Sequence, residues 1–205
     1  MIIIFLKEEI PTFIDKPLSG DIKEASKIIE LAEHKKTPLM STSALRYAKE
    51  VQTAWKTIKG IGTVDFATTI CQGKYMAAEN IIHYGIHILE LAYSVIGPGA
   101  VAVQNIGMSG KNIVKIDFKD GKVLMLAVFP EIAQLFLLNL YGRKGMSSVV
   151  VNDWDYFYWK MLQTFIEMVR SKKLPVPLIE TLEIIKILVS SKKSLLSGGK
   201  KIKII

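Results

Sequence analysis

The sequence predicts an α+β fold. One βαβ unit, an α/β remnant at the N-terminus, is followed by a large, mainly antiparallel open sheet covered by helices on one face. Three observations lead there. Residues 11–42 read strand, helix, strand, the order of a parallel pair with a right-handed crossover. After Gly99 the texture changes to short apolar runs separated by turn signals, among them the hairpin dipeptide Asp120-Gly121. Two long stretches of helical period then close the chain.

Taken in order, residues 1–9 read as the tail of a helix or a frayed start. Pro11 to Ile14 is a short buried-type strand, ended by Asp15-Lys16-Pro17. Proline restricts the residue before it to extended geometry, so the Lys16 ammonium projects from the strand's carboxyl end. Ser19 or Asp21 caps a helix from Ile22 to Lys36, apolar at Ile22, Ala25, Ile28, Ile29 and Ala32. Thr37-Pro38 breaks it, and Leu39 to Thr42 is the second strand. A helix from Ser43 to Ile58 carries Arg46 in its first turn. Gly60 and Gly62 end it, Thr63 to Ile70 alternates like a strand, and Gly73 to Glu79 is a loop.

The central helix begins at Asn80. His83 and His87 lie four residues apart, so both imidazoles stack on one face, with Glu90 one turn further. Ile82, Ile86, Leu89, Tyr93 and Ile96 form the neighbouring apolar stripe, and Gly97-Pro98-Gly99 stops the helix. Five strand-like runs follow as one meander: 100–107, 113–118, 122–129, 134–140 and 146–151. Helices at 153–171 and 178–191 and a basic strand at 201–205 complete the chain. Val123 to Val128 is apolar at both parities, so both faces of the sheet need cover and a face-to-face homodimer is expected.

At 205 residues the chain supports a real core, and half of it is hydrophobic. No stretch reaches the roughly 18 consecutive apolar residues of a membrane span. MIIIFL is too short for a signal peptide and runs directly into Lys7-Glu8-Glu9. A single cysteine, Cys71, excludes an intramolecular disulfide. The expected setting is the cytoplasm, with no membrane partner. The net charge of +8 comes from scattered lysines without interleaved aromatics, which argues for a solvated surface and against nucleic acid.

Three segments resemble the Gfo/Idh/MocA oxidoreductases. PTFIDKPLSGDIKEASKIIELAEHKKTPLMSTSALRYAKEV resembles the segment around that family's (Glu/Asp)-Lys-Pro motif, with the later arginine matched by Arg46. HYGIHILELAYSVIGPG resembles its catalytic helix, with the Gly-x-His core and a following acidic residue. PVPLIETLEIIKILVSSKKSLLSGGKKIKI resembles its C-terminus. The resemblance implies a nucleotide-binding Rossmann domain followed by a substrate and dimerisation domain. Residues 1–42 would be a remnant of the first and residues 43–205 the second. It implies NAD or NADP as cofactor and a sugar- or polyol-like alcohol as the small polar substrate. Asp15, Lys16, Pro17 and Arg46 are the implied cofactor-side residues; Lys16, His87 and His83 are the implied catalytic ones.

The physical chemistry agrees with those assignments. Hydride leaves a carbinol carbon only as its hydroxyl loses a proton, imidazole has a suitable pKa, and a lysine charge stabilises the alkoxide. One departure is that His83 stands where many members carry an aspartate. Another is that no Gly-x-Gly-x-x-Gly run is present, so the chain alone is not expected to bind the dinucleotide and reads as a truncated homologue. Two alternatives stand beside this reading: a non-catalytic binding and dimerisation module, or a subunit relying on a separate nucleotide-binding chain. His83, His87 and Glu90 could offer a metal two nitrogens and a carboxylate, but the family does not usually need one, and no metal is expected. The aromatic run Trp154, Tyr156, Phe157, Tyr158 and Trp159 reads as helix-to-sheet packing.

Overall fold

The computed structural model describes residues 2–74 and 76–204. Met1 and Ile205, the expected ends of the first and last segments, lie outside the described residues, as does Tyr75 in the expected loop. The chain opens with helix α1 (Ile2–Lys7), strand β1 (Thr12–Asp15), helix α2 (Ile22–His34) and strand β2 (Leu39–Thr42). β1 and β2 pair in parallel, from Thr12 opposite Leu39 to Asp15 opposite Thr42. The Asp21 carboxylate caps α2 by accepting the Glu24 N–H at 2.8 Å. α2 buries Ala25, Ile28, Ile29 and Ala32, which join Leu6, Leu18 and Leu39 in a small core closed by Leu178 and Ile185. Those last two belong to the long helix α7 (Leu178–Leu196).

The expected helix at 43–58 is two pieces: a 3₁₀ turn at Ala44–Tyr47 and helix α3 (Lys49–Ile61). Ala48 between them is extended, with ψ 147°. Strand β3 (Val64–Gln72) follows. The expected continuous helix is also divided, into α4 (Asn80–His83) and α5 (Gly85–Ile96), with the break at Tyr84. Gly85 lies against the Ile81 side chain so closely that a Cβ there would come within 2.7 Å of Ile81 Cδ1.

The large sheet contains β3, β4 (Ala100–Asn105), β5 (Asn112–Phe118), β6 (Val123–Phe129), β7 (Phe136–Gly142), β8 (Gly145–Val150) and β9 (Ile202–Lys203). Its order is β8-β7-β3-β6-β5-β4-β9. The expected single meander is therefore corrected: β3 inserts between β6 and β7, parallel to β6 and antiparallel to β7. Parallel neighbours need a long crossover, and here α4, α5, β4 and β5 supply it. The segment 130–135 then steps over the end of β3, a distance of roughly 10 Å.

Helix α6 (Trp154–Ser171), with α3, α5 and α7, covers one face. β5 and β6 alternate between fully buried residues on that face and half-buried ones on the other. Pairing registers place two apolar rows on the second face. Met146, Tyr141, Phe66 and Val123 form one, with the Phe66 and Tyr141 rings stacked at 5.5 Å. Val150, Leu137, Ile70, Ala127 and Ile113 form the other. Ser148, Asn139, Thr68 and Met125 run between them. No helix of the described residues is long and apolar enough to cross a membrane.

Candidate functional site

The carboxyl ends of β1 and β2 open onto a cavity of about 310 Å³, lined by Asp15 and Lys16 from β1's end and Ser43 from β2's. Open α/β sheets place ligands at this edge because successive strand ends splay apart there. His87 from α5 and the ring of Phe136 form the far side, and Trp154, Phe157 and Tyr158 of α6 form a wall. A second cavity of about 420 Å³ adjoins it and shares His87, Phe136 and Trp154, adding Gln72, Lys74, Tyr84 and Gln134. His87 thus stands at the partition between the two cavities.

Lys16 and His87, 71 positions apart in sequence, line the same cavity. The break at Tyr84 has a direct part in this. In a continuous helix the His87 N–H would bond the His83 carbonyl. Here it bonds the Tyr84 carbonyl at 3.1 Å, which also accepts from the Cys71 thiol at 3.7 Å. The His83 carbonyl is left free and accepts from the Lys16 ammonium at 3.3 Å. His83 therefore contributes backbone, not imidazole: its side chain is exposed and lines neither cavity. The expected stacked imidazole pair does not form, because the break rotates the two residues off a common face.

Burial, and secondarily the Lys16 charge, lowers the His87 pKa to about 3. The Lys16 pKa is lowered by burial, partly offset by the neighbouring Asp15 carboxylate. At neutral pH the site therefore presents an uncharged imidazole beside an ammonium.

Arg46 is placed elsewhere. Its Nε donates to Glu90 Oε2 at 2.6 Å, and its Nη2 lies 2.7 Å from Glu180 Oε1 as an ion pair without hydrogen-bond angles. The Thr42 hydroxyl donates to Glu90 at 3.0 Å. The Arg46 and Glu90 side chains are only 11% and 2% exposed. With two carboxylates on it, the guanidinium is occupied by the protein's own anions and lines neither cavity. Pro17 follows Lys16 through a cis peptide bond and does not line the cavity either. Glu90 faces Arg46, so it does not join the histidines; among the described residues no three His, Cys, Asp or Glu side chains are grouped to hold a metal.

Two features escape the sequence reading. Ser43 Oγ lies 2.8 Å from His87 Nδ1. No motif marks Ser43; only its position at the end of β2 could have suggested it. The aromatic run is more than packing, because Trp154, Phe157 and Tyr158 face the cavity.

The N-terminus of α2 does not fit a pyrophosphate. A pyrophosphate needs free N–H groups and positive potential at a helix N-terminus. At α2 the Asp21 and Glu24 carboxylates occupy that position, Asp21 capping the Glu24 N–H and Glu24 accepting from Ser19 Oγ at 2.6 Å.

No protein-family model and no curated protein matches the sequence. Solved structures do. The myo-inositol 2-dehydrogenase of Lactobacillus plantarum superposes with a TM-score of 0.86 at 16% identity, over 100% of this chain and 76% of that one. The myo-inositol dehydrogenase of Lactobacillus casei, in complex with NAD(H) and myo-inositol, gives 0.84 at 15% identity, over 100% and 73%. A protein of gentamicin A biosynthesis in complex with NAD gives 0.87 at 13% identity, over 100% and 74%. The chain has the fold of the myo-inositol dehydrogenases.

Proposed function

We propose that this chain holds the substrate of an NAD(P)-dependent oxidoreductase, a sugar- or polyol-like alcohol or its carbonyl form, between Lys16 and His87. The observation that carries the reading is that these two residues line one cavity at the carboxyl ends of the parallel strands. Gln72, Lys74 and Gln134 of the adjoining cavity supply donors and acceptors for further hydroxyls. Lys16 places a positive charge where oxygen becomes anionic, and His87 orients that oxygen. The α2 N-terminus already carries the Asp21 and Glu24 carboxylates, so we assign the dinucleotide's pyrophosphate to groups other than these. Titration of the labelled chain with myo-inositol tests the site. Saturable shifts confined to the two cavities, and their loss in Lys16→Ala, are expected; identical binding by Lys16→Ala overturns the reading.

The open face of the sheet supports a homodimer. Its two apolar rows, with Phe66 38% and Met146 57% exposed, flank the row of Ser148, Asn139, Thr68 and Met125, and together they form a face that a second copy of the chain would cover. A second reading, a non-catalytic binding and dimerisation module, draws on the closed N-terminus of α2.

A further inference from the structure

We propose that Ser43 is a positioning residue that holds His87 in the Nε2–H tautomer, so that the ring offers the ligand a hydrogen-bond donor and selects a carbonyl oxygen over a hydroxyl. The inference deepens the reading of the site as an alcohol–carbonyl pocket and rests on it for the ligand alone.

Ser43 is 1% exposed, and a buried hydroxyl hydrogen needs an acceptor. Ser43 Oγ already accepts the Leu45 N–H at 3.3 Å, as the cap of the 3₁₀ turn. Among the described residues its other partner is His87 Nδ1 at 2.8 Å. If Nδ1 carried the proton, it would donate to Ser43 Oγ and leave the serine hydrogen without an acceptor among the described residues. With the hydroxyl donating to Nδ1, both the serine hydrogen and Nδ1 are satisfied. A neutral imidazole has one proton, which must then sit on Nε2. Among the described residues nothing hydrogen-bonds Nε2, and the ring lines both cavities.

The register of this contact is built in. Ser43 and His87 are 44 positions apart, and so are Arg46 and Glu90. The 3₁₀ turn and α5 advance together by three residues, so the buried Arg46–Glu90 bond is a second rung that holds the first. Lys16 anchors on the His83 carbonyl beside it. The cavity thus receives two donors, an ammonium and an Nε2–H. A carbonyl oxygen seated between these two donors accepts from both with nothing left over, whereas a hydroxyl there must also turn its own hydrogen to an acceptor, and among the described residues Asp15 is the one carboxylate on the lining.

The test uses the ¹⁵N-labelled full chain with His34→Gln and His83→Gln, which leaves one imidazole. Long-range ¹H–¹⁵N correlation at neutral pH is expected to show Nδ1 as the unprotonated nitrogen and Nε2 as the protonated one. Ser43→Ala should shift the ring to a tautomer mixture, and Ser43→Thr should restore it. A protonated Nδ1 in the parent chain, or a folded Ser43→Ala chain with an unchanged spectrum, overturns the proposal; the parent spectrum decides it even where Ser43→Ala fails to fold. Titration with myo-inositol and with the ketone made by oxidising one of its hydroxyls tests the ligand clause. The ketone is expected to move the Nε2–H signal at a concentration on the order of tenfold lower. Equal or tighter binding of the polyol, or no response to either, overturns that clause without touching the tautomer result.

Discussion

Replacing Arg46 by alanine should be among the most damaging single changes in this protein. The guanidinium is held by Glu90 at 2.6 Å and faces Glu180 at 2.7 Å, and the three side chains are 11%, 2% and 11% exposed. Alanine leaves two buried carboxylates without their cation. Removing one partner of a buried pair costs about 3–5 kcal/mol, because the survivor keeps its desolvation penalty. For a chain of this size that corresponds to a fall in Tm of roughly 6–20 °C. Burial already raises the Glu90 pKa despite Arg46, so losing the arginine raises it further. A carboxylate whose folded pKa lies above its unfolded value destabilises the fold as pH rises between the two, so the variant should lose more stability with increasing pH than the parent. Urea unfolding at several pH values measures both effects. Arg46→Met combined with Glu90→Leu should recover part of the loss, since an apolar pair needs no counter-charge. If Arg46→Ala costs less than about 1 kcal/mol, the network is not a buried clamp and does not hold the register of Ser43 on His87.

His87 makes a different prediction for acid. Its folded pKa, about 3, lies below the ordinary 6.5, so the unfolded chain binds a proton there that the folded chain refuses. Its contribution should be fully present above about 6.5 and lost as pH falls towards 3, and His87→Gln should flatten that part of the stability profile. The chain alone should show no saturable binding of NADH at micromolar concentration by fluorescence titration, because the sequence has no Gly-x-Gly-x-x-Gly run and the α2 terminus carries its own carboxylates. Met125→Asp on the open face of the sheet should convert a dimer to a monomer in light scattering while leaving the melting profile of the monomer intact. A parent chain that is already monomeric at micromolar concentration would remove the dimer proposal.

Much of the fold is legible in local pattern, because local pattern is what hydrophobic burial acts on first. The alternation in residues 112–118 yields a strand with one buried parity, and the spacing of Ala25, Ile28, Ile29 and Ala32 yields an amphipathic helix. The Asp-Lys-Pro segment places Lys16 at a strand's end, where the structure also has it. Local pattern does not say which strand lies beside which. β3 alternates like its neighbours, and its insertion between β6 and β7 depends on pairing across dozens of residues. Nor does local pattern register how a helix is interrupted by what packs on it. The spacing of His83 and His87 implies a stacked pair; the break at Tyr84 separates them and turns the His83 carbonyl into the anchor for Lys16. The charge on Arg46 is plain in the sequence, but its partners Glu90 and Glu180 are distant, and only folding shows that the arginine is already neutralised. Ser43 carries no motif at all. Its meaning comes from a 2.8 Å contact with a residue 44 positions away, a distance that the tertiary structure alone sets.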